Sequence, residues 1–425
     1  MVLEMRKMKD SGIEWIGEIP EGWRTINPKA LFTQRKDKAQ KGERQLTSSQ
    51  QYGILYQDDY MELTGSKVVT VEKDFDILKH VEAGDFVISM RSFQGGLEYS
   101  TKSGAISSAY VMLVPNLELV YPRFYRWLLK SSVYIDALQR TTNMVRDGQA
   151  MRYSNFAQVR LFTLPLDEQK SRADFLDLEC SSIDKILFKT RSSIEEYKKL
   201  KQAVITQAVT KGVRGEREMK DSGVEWIGEI PKEWDILNLV AHTSMLTPMR
   251  DRPENLDGPI PWIRIEDFDG KYISSSKASL GVSKETVRSM NLKIYPVGTI
   301  LCTSSCIMGK CAIVSRELVS NQRFIGIIPD QNTCENFLYY LMLSNSERMN
   351  YLATGALQAN LSRSSFEHLK VQFPSYQEQK EISDYLDTKC AEIDKLIAKK
   401  EQLVKELESY KKSLIYEVVT GKREV

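Results

Sequence analysis

One thirteen-residue block occurs twice in this chain. Met8-Lys9-Asp10-Ser11-Gly12-Ile13-Glu14-Trp15-Ile16-Gly17-Glu18-Ile19-Pro20 returns, 211 residues later, as Met219-Lys220-Asp221-Ser222-Gly223-Val224-Glu225-Trp226-Ile227-Gly228-Glu229-Ile230-Pro231. Only Ile13 and Val224 differ. A tryptophan-containing block of this length does not recur by chance, so the chain is two copies of one unit. With 425 residues and 42% hydrophobic content, each copy can bury a core of its own.

The helical rhythm repeats with the block. Glu168 to Gly212 contains no proline or glycine before its end, and Ile183, Leu187, Ile194, Tyr197 and Val204 fall in a 4,3 spacing, which predicts a long helix with a coiled-coil seam. Thr190 and Lys201 interrupt that seam. A second long helix is predicted from Glu378 to Thr420, where Leu396, Leu403, Leu407, Tyr410 and Leu414 give a clearer heptad behind a Ser375-x-x-Glu378 capping box. Glu168-Gln169-Lys170 matches Glu378-Gln379-Lys380, Cys180 matches Cys390, and Ile183-Asp184-Lys185 matches Ile393-Asp394-Lys395, all offset by 210.

Between block and helix lies a mixed region in each copy. In the first, short β-type runs such as Phe86-Val87-Ile88 and Ala109 to Val114 alternate with turns. One helix is predicted from Tyr121-Pro122, with Phe124, Trp127, Leu128, Val133, Ile135 and Leu138 as its apolar stripe. Gly84 to Ile88 corresponds to Gly298 to Cys302, and Val114-Pro115 to Ile328-Pro329; little else matches. The scaffold is kept while the surfaces differ. The fold class is therefore α+β, with domains expected at 1–164 and 219–373, and helical segments at 165–218 and 374–425. Thr420-Gly421-Lys422-Arg423 echoes Thr210 to Glu218, which predicts that the C-terminal residues lie near the first block and that the repeats are related by an approximate two-fold axis.

This pattern resembles the specificity subunit of Type I restriction-modification enzymes over essentially the whole chain. The repeated block and the Pro-x-x-x-Glu-Gln-Lys start at Pro374 to Lys380 carry the resemblance; its counterpart at Pro165 is one residue shorter. The resemblance implies two α+β target recognition domains, each reading half of a bipartite site in double-stranded DNA, held apart by two antiparallel coiled-coil helices. It also implies two modification (methyltransferase) subunits as partners and, for cleavage, restriction/translocation subunits. The competing reading is a coiled-coil repeat scaffold that binds proteins without DNA sequence preference.

No catalytic constellation is legible, so a non-catalytic subunit is expected. The glycine-rich turn and Asn/Asp-Pro-Pro-aromatic loop of an adenine methyltransferase are missing, and no cofactor is expected. Met308-Gly309-Lys310-Cys311 lacks the remaining residues of a phosphate loop. Asp167-Glu168-x-Lys170 superficially resembles a nuclease metal site, but acids at a helix start are favoured by the free N–H groups. Cys302, Cys306 and Cys311 lack zinc spacing and a neighbouring histidine, and His80, His242 and His368 have no triad partner. Six cysteines without CxxC pairs and the lack of a signal-peptide core suit a cytoplasmic protein, and no apolar run reaches bilayer length.

Fifty-nine basic against 57 acidic residues, a net +2, means that any DNA surface must be a local patch. Base reading needs Arg, Lys, Asn or Gln on loops or element ends. In the first domain the candidates are Arg35, Lys36 and Lys38 running to Arg44 and Gln45; Arg91 and Gln94; and Arg146 with Arg152. In the second they are Arg250, Arg252, Arg264, Lys271, Lys310, Asn360 and Arg363. Trp15 and Trp226, at matching places in the block, are expected to share a packing role beside the helices.

Overall fold

The computed structural model describes residues 6–71, 75–89, 92–141, 151–248, 251–305, 309–353 and 360–425. Two compact units emerge, Met1–Arg191 with Gln402–Val425, and Ser192–Glu401.

The repeated block is a hairpin in both units, and its sequence is dictated by its backbone. Met8–Asp10 pairs with Glu18–Pro20, and Met219–Asp221 with Glu229–Pro231, in the same register. Asp10 Oδ1 accepts from Gly12 N–H at 2.9 Å, and Asp221 Oδ1 from Gly223 N–H at 3.0 Å. Gly12 and Gly223 take φ of 64° and 70°, a region that costs a side-chain-bearing residue strain. Ser11 N–H then closes the loop on Gly17 O, and Ser222 N–H on Gly228 O, each at 3.0 Å.

Beyond the hairpin, the first unit builds a sheet from β1 (Phe32–Arg35), β2 (Phe86–Ile88), β3 (Glu98–Tyr99) and β4 (Val111–Pro115), in the antiparallel order β1-β4-β2-β3. All three β2 residues are buried, as a central strand covered on both faces requires. The predicted helix from Tyr121 is two helices, α1 (Pro122–Leu128) and α2 (Ser132–Arg140). The Ser131 hydroxyl donates to Leu128 O at 2.7 Å and so closes the first. The apolar stripe continues across this break, which is why the spacing reads as one helix. Then comes α3, Leu166–Lys211.

The second unit repeats the plan: β5 (Thr243–Leu246), β6 (Tyr272–Ile273), β7 (Ile300–Thr303), β8 (Cys311–Val314) and β9 (Phe324–Pro329) are ordered β5-β9-β7-β8-β6. Strand β6, parallel to β8, is the addition. Register is conserved, since Val111 faces Ile88 where Ile325 faces Cys302. Helices α4 (Glu335–Ser344) and α5 (Tyr376–Val419) follow.

Each long helix opens with a carboxylate that fastens its own unit. Glu168 accepts the Trp23 indole N–H at 3.1 Å and pairs with Arg6 and Arg172; Glu378 accepts the Trp234 indole N–H at 3.0 Å and pairs with Arg217 at 2.6 Å. Both tryptophans are fully buried. The neighbouring glutamines work identically. Gln169 donates to Leu119 O and Leu164 O and accepts Tyr121 N–H, while Gln379 donates to Asn332 O and Pro374 O and accepts Cys334 N–H. The repeated Glu-Gln-Lys is thus a clamp between helix start and sheet domain.

Within each unit the helices pair antiparallel. Asp184 meets Lys411 at 2.6 Å and Arg191 meets Glu408 in the first; Asp394 meets Lys201 at 2.6 Å in the second. The two interruptions of the seam are therefore absorbed differently, since Thr190 is buried and Lys201 reaches an acid. The heptad read on the second helix needs correction: Leu396, Leu403 and Tyr410 are 41%, 41% and 46% exposed. Leu414 of that heptad is buried and Leu407 is partly so, but the rest of the buried face runs through Ile382, Leu386, Cys390, Ile393 and Val418, because α5 packs against sheet-domain residues as well as a helix and 3.6-residue periodicity rotates the contact face.

The expected meeting of C-terminal residues with the first block is present inside the first unit. Buried Arg172 donates to Val418 O at 2.8 Å and Arg423 O at 2.9 Å, and Lys422 reaches Ile16 O. Gly421, at φ 78°, lies so near Pro20 and Trp23 that an added Cβ would sit 2.5 Å from Pro20.

Burial pushes the Glu168 carboxyl up, but the bonds from Arg6, Arg172 and Trp23 outweigh it and hold the group below the usual glutamate range. Its stabilisation is present above the ordinary glutamate pKa of about 4.3 and lost as pH falls through the lower folded value. Glu168→Gln should therefore cost about 1–3 kcal/mol near pH 7. Urea unfolding of wild type and variant should converge as the buffer is taken below about pH 4. A gap that stays constant with pH would show that the charge is not what matters.

Candidate nucleic-acid interface

In the first domain the segment carrying five candidate residues is laid along a two-stranded pair, Lys79–Val81 with Gly104–Ile106. Backbone bonds hold it there: His80 N–H to Asp37 O, Ala39 N–H to Leu78 O, and Ala105 N–H to Arg44 O. The side chains have different surroundings. Arg35 donates to Asp85 at 2.7 and 3.1 Å and to Asp37 at 3.0 Å, so its guanidinium neutralises a buried carboxylate. Those bonds, Asp85 foremost, raise its pKa further. Arg44 stacks 3.7 Å above the Tyr56 ring and pairs with Asp58 and Asp59. Gln45 exchanges hydrogen bonds with both backbone groups of Val71, and Lys38 donates to Asp76 O. Lys36 is exposed.

Arg152 is exposed at the start of the helix Tyr153–Gln158, its backbone N–H donating to Asn155 Oδ1. Arg91, Arg146 and Arg250 lie outside the described residues, as does the side chain of Gln94, although its backbone belongs to the turn of helix Ser92–Gly95.

The second domain brings several candidates to one corner, at the end of β7 and β8 where the chain passes from one strand to the other. Thr303 N–H donates to Lys310 O, Lys310 N–H to Thr303 Oγ1, and Leu361 N–H to Ser304 O, while Asn360 bridges to Ser305. Exposed Lys310, Asn360 and Arg363 are thereby neighbours along the chain paths that meet there. Arg363 is also paired along its helix with Glu367 at 2.7 Å. Joining them is Arg323, whose carbonyl accepts Ser304 N–H at 2.8 Å; no motif in the sequence singles it out.

The remaining candidates lie elsewhere in this domain. Arg252 is exposed. Arg264 has its backbone N–H on Asp267 and its side chain 4.0 Å from Glu266. Lys271 pairs with Asp387 on α5 among the rings of Tyr272, Tyr339 and Tyr340. Asp387 also accepts the Tyr340 hydroxyl at 2.6 Å, and its equivalent Asp177 on α3 accepts from Arg123 at 2.9 Å and from the Trp127 indole at 2.7 Å. These aspartates seat each sheet domain on its helix. An isolated Asp in a helical run carries no sequence signal of that role.

The block tryptophans do not share one role. Trp15 packs edge-on against Tyr134 and donates to Arg160 O, whereas Trp226 is 42% exposed with the Arg348 guanidinium 3.9 Å over its ring. The block is the same in both units, so the difference comes from the residues packed around it.

Cys302 and Cys311 face each other across β7 and β8 with sulfurs 2.6 Å apart, and burial pushes the Cys302 thiol well up. His80 bridges Glu43 and Glu82, His242 meets Asp330, and His368 meets Ser364. Among the described residues no group of three or more acids, cysteines or histidines is placed to hold a metal ion. No helix among them is long and apolar enough to cross a membrane.

Residues 235–406 match the Type I restriction modification DNA specificity domain family. The chain is 34% identical over 181 residues to the MjaIX specificity subunit of Methanocaldococcus jannaschii, an alignment covering 41% of each protein. Against the putative type I restriction enzyme MjaX specificity subunit of the same organism it is 23% identical, over 96% of this chain and 95% of that one. Residues 235–406 thus carry the match to a Type I DNA specificity domain, and the chain as a whole is similar to Type I restriction enzyme specificity subunits. Solved structures place the fold in the same company. A chain from a study of complex assembly and conformational transition of the type I R-M system aligns over 95% of this chain and 99% of its own, at TM-score 0.71 and 12% identity. The HsdS subunit from Thermoanaerobacter tengcongensis aligns over 95% and 98%, at TM-score 0.53 and 13% identity.

The geometry separates cations that hold the domain together from those facing solvent. Arg35→Ala would leave buried Asp85 without its cation and should cost about 3 kcal/mol or more, whereas Lys36→Ala should change stability by less than about 0.5 kcal/mol. Chemical denaturation of the two variants measures this directly. Equal stabilities would mean that the Arg35–Asp85 pair contributes nothing to the fold.

Proposed function

We propose that this chain is the non-catalytic DNA-reading subunit of a Type I restriction-modification complex. Its recognition domains, residues 1–164 and 219–373, each contact one half of a bipartite target in double-stranded DNA. The helical segments 165–218 and 374–425 serve as the platform for two modification (methyltransferase) subunits and, through the assembled complex, for restriction/translocation subunits. One observation carries the DNA-reading assignment: the two domains keep strand order and register while their exposed loop side chains differ. A shared frame with unlike edges suits recognition of two unlike half-sites, because base identity is read by individual side chains, whereas phosphate contacts only position the frame.

Partner docking is supported by large apolar side chains left open on the long helices, among them Leu178, Phe188 and Leu200 on α3 and Leu396 on α5. The chemistry belongs to the partners in this reading. The carboxylates at the helix starts are committed to tryptophan and arginine, and the thiols at β7 and β8 are buried.

Two measurements test the assignment. Purified alone, the chain should transfer no methyl group to DNA; paired with a modification subunit in a methylation-free host, it should confer a bipartite adenine motif on the methylome. Exchanging residues 23–164 for those of a relative should then change one half of that motif and leave the other half intact. A scaffold without sequence preference would leave the methylome unchanged by either manipulation, and a change in both halves would overturn the division of labour between the domains.

A further inference from the structure

The strand pair β4–β2 of the first sheet and the pair β9–β7 of the second share one register, with residues equivalent at an offset of 214. Strand β4 begins after Ser107-Ser108-Ala109-Tyr110, and β9 after Asn321-Gln322-Arg323. Pro115 and Pro329 end the two strands, so Ala109 and Arg323 are equivalent at the offset of 214 that also relates Gly84 to Gly298. The backbone cradle is the same in both. Ala109 N–H donates to Ser107 Oγ at 3.3 Å, and Arg323 N–H donates to Asn321 Oδ1 at 3.0 Å. Each is a short turn in which a side-chain oxygen two residues earlier fixes the backbone just before the strand. The frame is conserved and the side chain is not: a methyl group in one domain is a guanidinium in the other.

We propose that Arg323 is a base-contacting residue of the second recognition domain, reading a guanine edge in the half-site assigned to that domain. This rests on the DNA-reading assignment above. Three observations support it. Arg323 is exposed, and among the described residues no side chain or backbone group bonds or pairs with its guanidinium. Three of the candidate cations in this domain are engaged, Arg363 with Glu367, Lys271 with Asp387, and Arg264 beside Glu266, whereas Lys310 and Arg252 are exposed. Its backbone is held at both ends, by Asn321 Oδ1 on its N–H and by Ser304 N–H on its carbonyl, so its base is fixed where β7, β9 and the Asn360–Leu361 segment meet. A planar fork on a rigid base, beside exposed Lys310, has the chemistry for paired hydrogen bonds to guanine O6 and N7, with the lysine free to meet phosphate. The equivalent Ala109 offers no such donor, so the first domain must draw its base contacts from other positions.

The test uses the full chain with its modification subunit in a methylation-free host. The wild-type methylome defines the motif, and the exchange of residues 23–164 shows which half belongs to the second domain. In the Arg323→Ala complex, one position of that half should lose its base requirement, with discrimination falling about tenfold or more, while the other half and the gap stay unchanged. Arg323→Lys keeps the charge but not the fork, and should relax the same position. Melting curves should match wild type, since an exposed side chain without partners is removed; should Ala perturb folding, the Lys variant alone carries the comparison.

An unchanged motif in both variants would overturn the inference while leaving the DNA-reading assignment standing. So would a uniform drop in methylation at every site without relaxation, which marks a phosphate contact, or full selectivity in Arg323→Lys. A wild-type complex that methylates without any bipartite motif would instead remove the assignment itself, and the inference with it.

Discussion

The structure depends first on a carboxylate drawn out of solvent at the start of each long helix, fully buried at Glu378 and half-buried at Glu168. Glu168 and Glu378 each receive an indole N–H, from Trp23 and Trp234, and each is neutralised by arginine. A carboxylate withdrawn from water is costly unless its charge is compensated and its lone pairs are occupied. That requirement ties three stretches of chain to one point: the segment leading into the repeated block, the tryptophan just after it, and the helix. Arg6 and Arg217 occupy the same relative place in the two units, each lying over the tryptophan of its own unit. Arg172 has no arginine counterpart at position 382, which is isoleucine, and it serves the carbonyls of the C-terminal residues. In the second unit Gln372 performs the comparable service, donating to Val209 O.

From that anchor the placement of the sheet domains follows. Gln169 and Gln379 stitch the helix start to the loop ahead of α1 and α4, and Asp177 and Asp387, two turns further along, grip those helices by indole, hydroxyl and cationic donors. A domain held at two points on a rigid helix keeps its edges in fixed positions. Base reading demands this, because a hydrogen-bond fork displaced by an ångström no longer selects its base. The near-balance of charge in the chain suits the same task. Long-range attraction to DNA is weak when acids offset bases, so recognition is left to local patches.

The repeat, the two long helices and the α+β character of the domains were legible in the sequence because each rests on a local rule. Asp10 and Gly12 recur as Asp221 and Gly223 because the turn needs that acceptor and that φ. The helices announce themselves through apolar spacing and the lack of proline and glycine. The same rule failed where helices pack on more than one surface: Leu396, Leu403 and Tyr410 satisfy a heptad and are half exposed, while Cys390 and Ile393 carry the contact. It failed again at Leu128 to Ser131, where an uninterrupted apolar stripe hides a break made by one hydroxyl.

The candidate interface shows the same division. Sequence picks out residue types that can read bases, such as Arg35, Arg44, Lys271 and Lys310, because that capacity is a property of the side chain. Whether a given cation faces solvent or a carboxylate is decided by residues far away in the chain: Asp85 for Arg35, Asp387 for Lys271. Arg323 carries no motif, and only the meeting of β7, β9 and the Asn360 segment places it at an edge. The identical tryptophans of the block make the point most plainly, since Trp15 meets Tyr134 and Trp226 meets Arg348. By itself the sequence determined that there are two units, what backbone each block must adopt, and which helices follow, all set by neighbours within a few residues. Tertiary structure alone decided which charges are spent on the fold and which remain for a ligand, because electrostatic partners are chosen by distance in space and not along the chain.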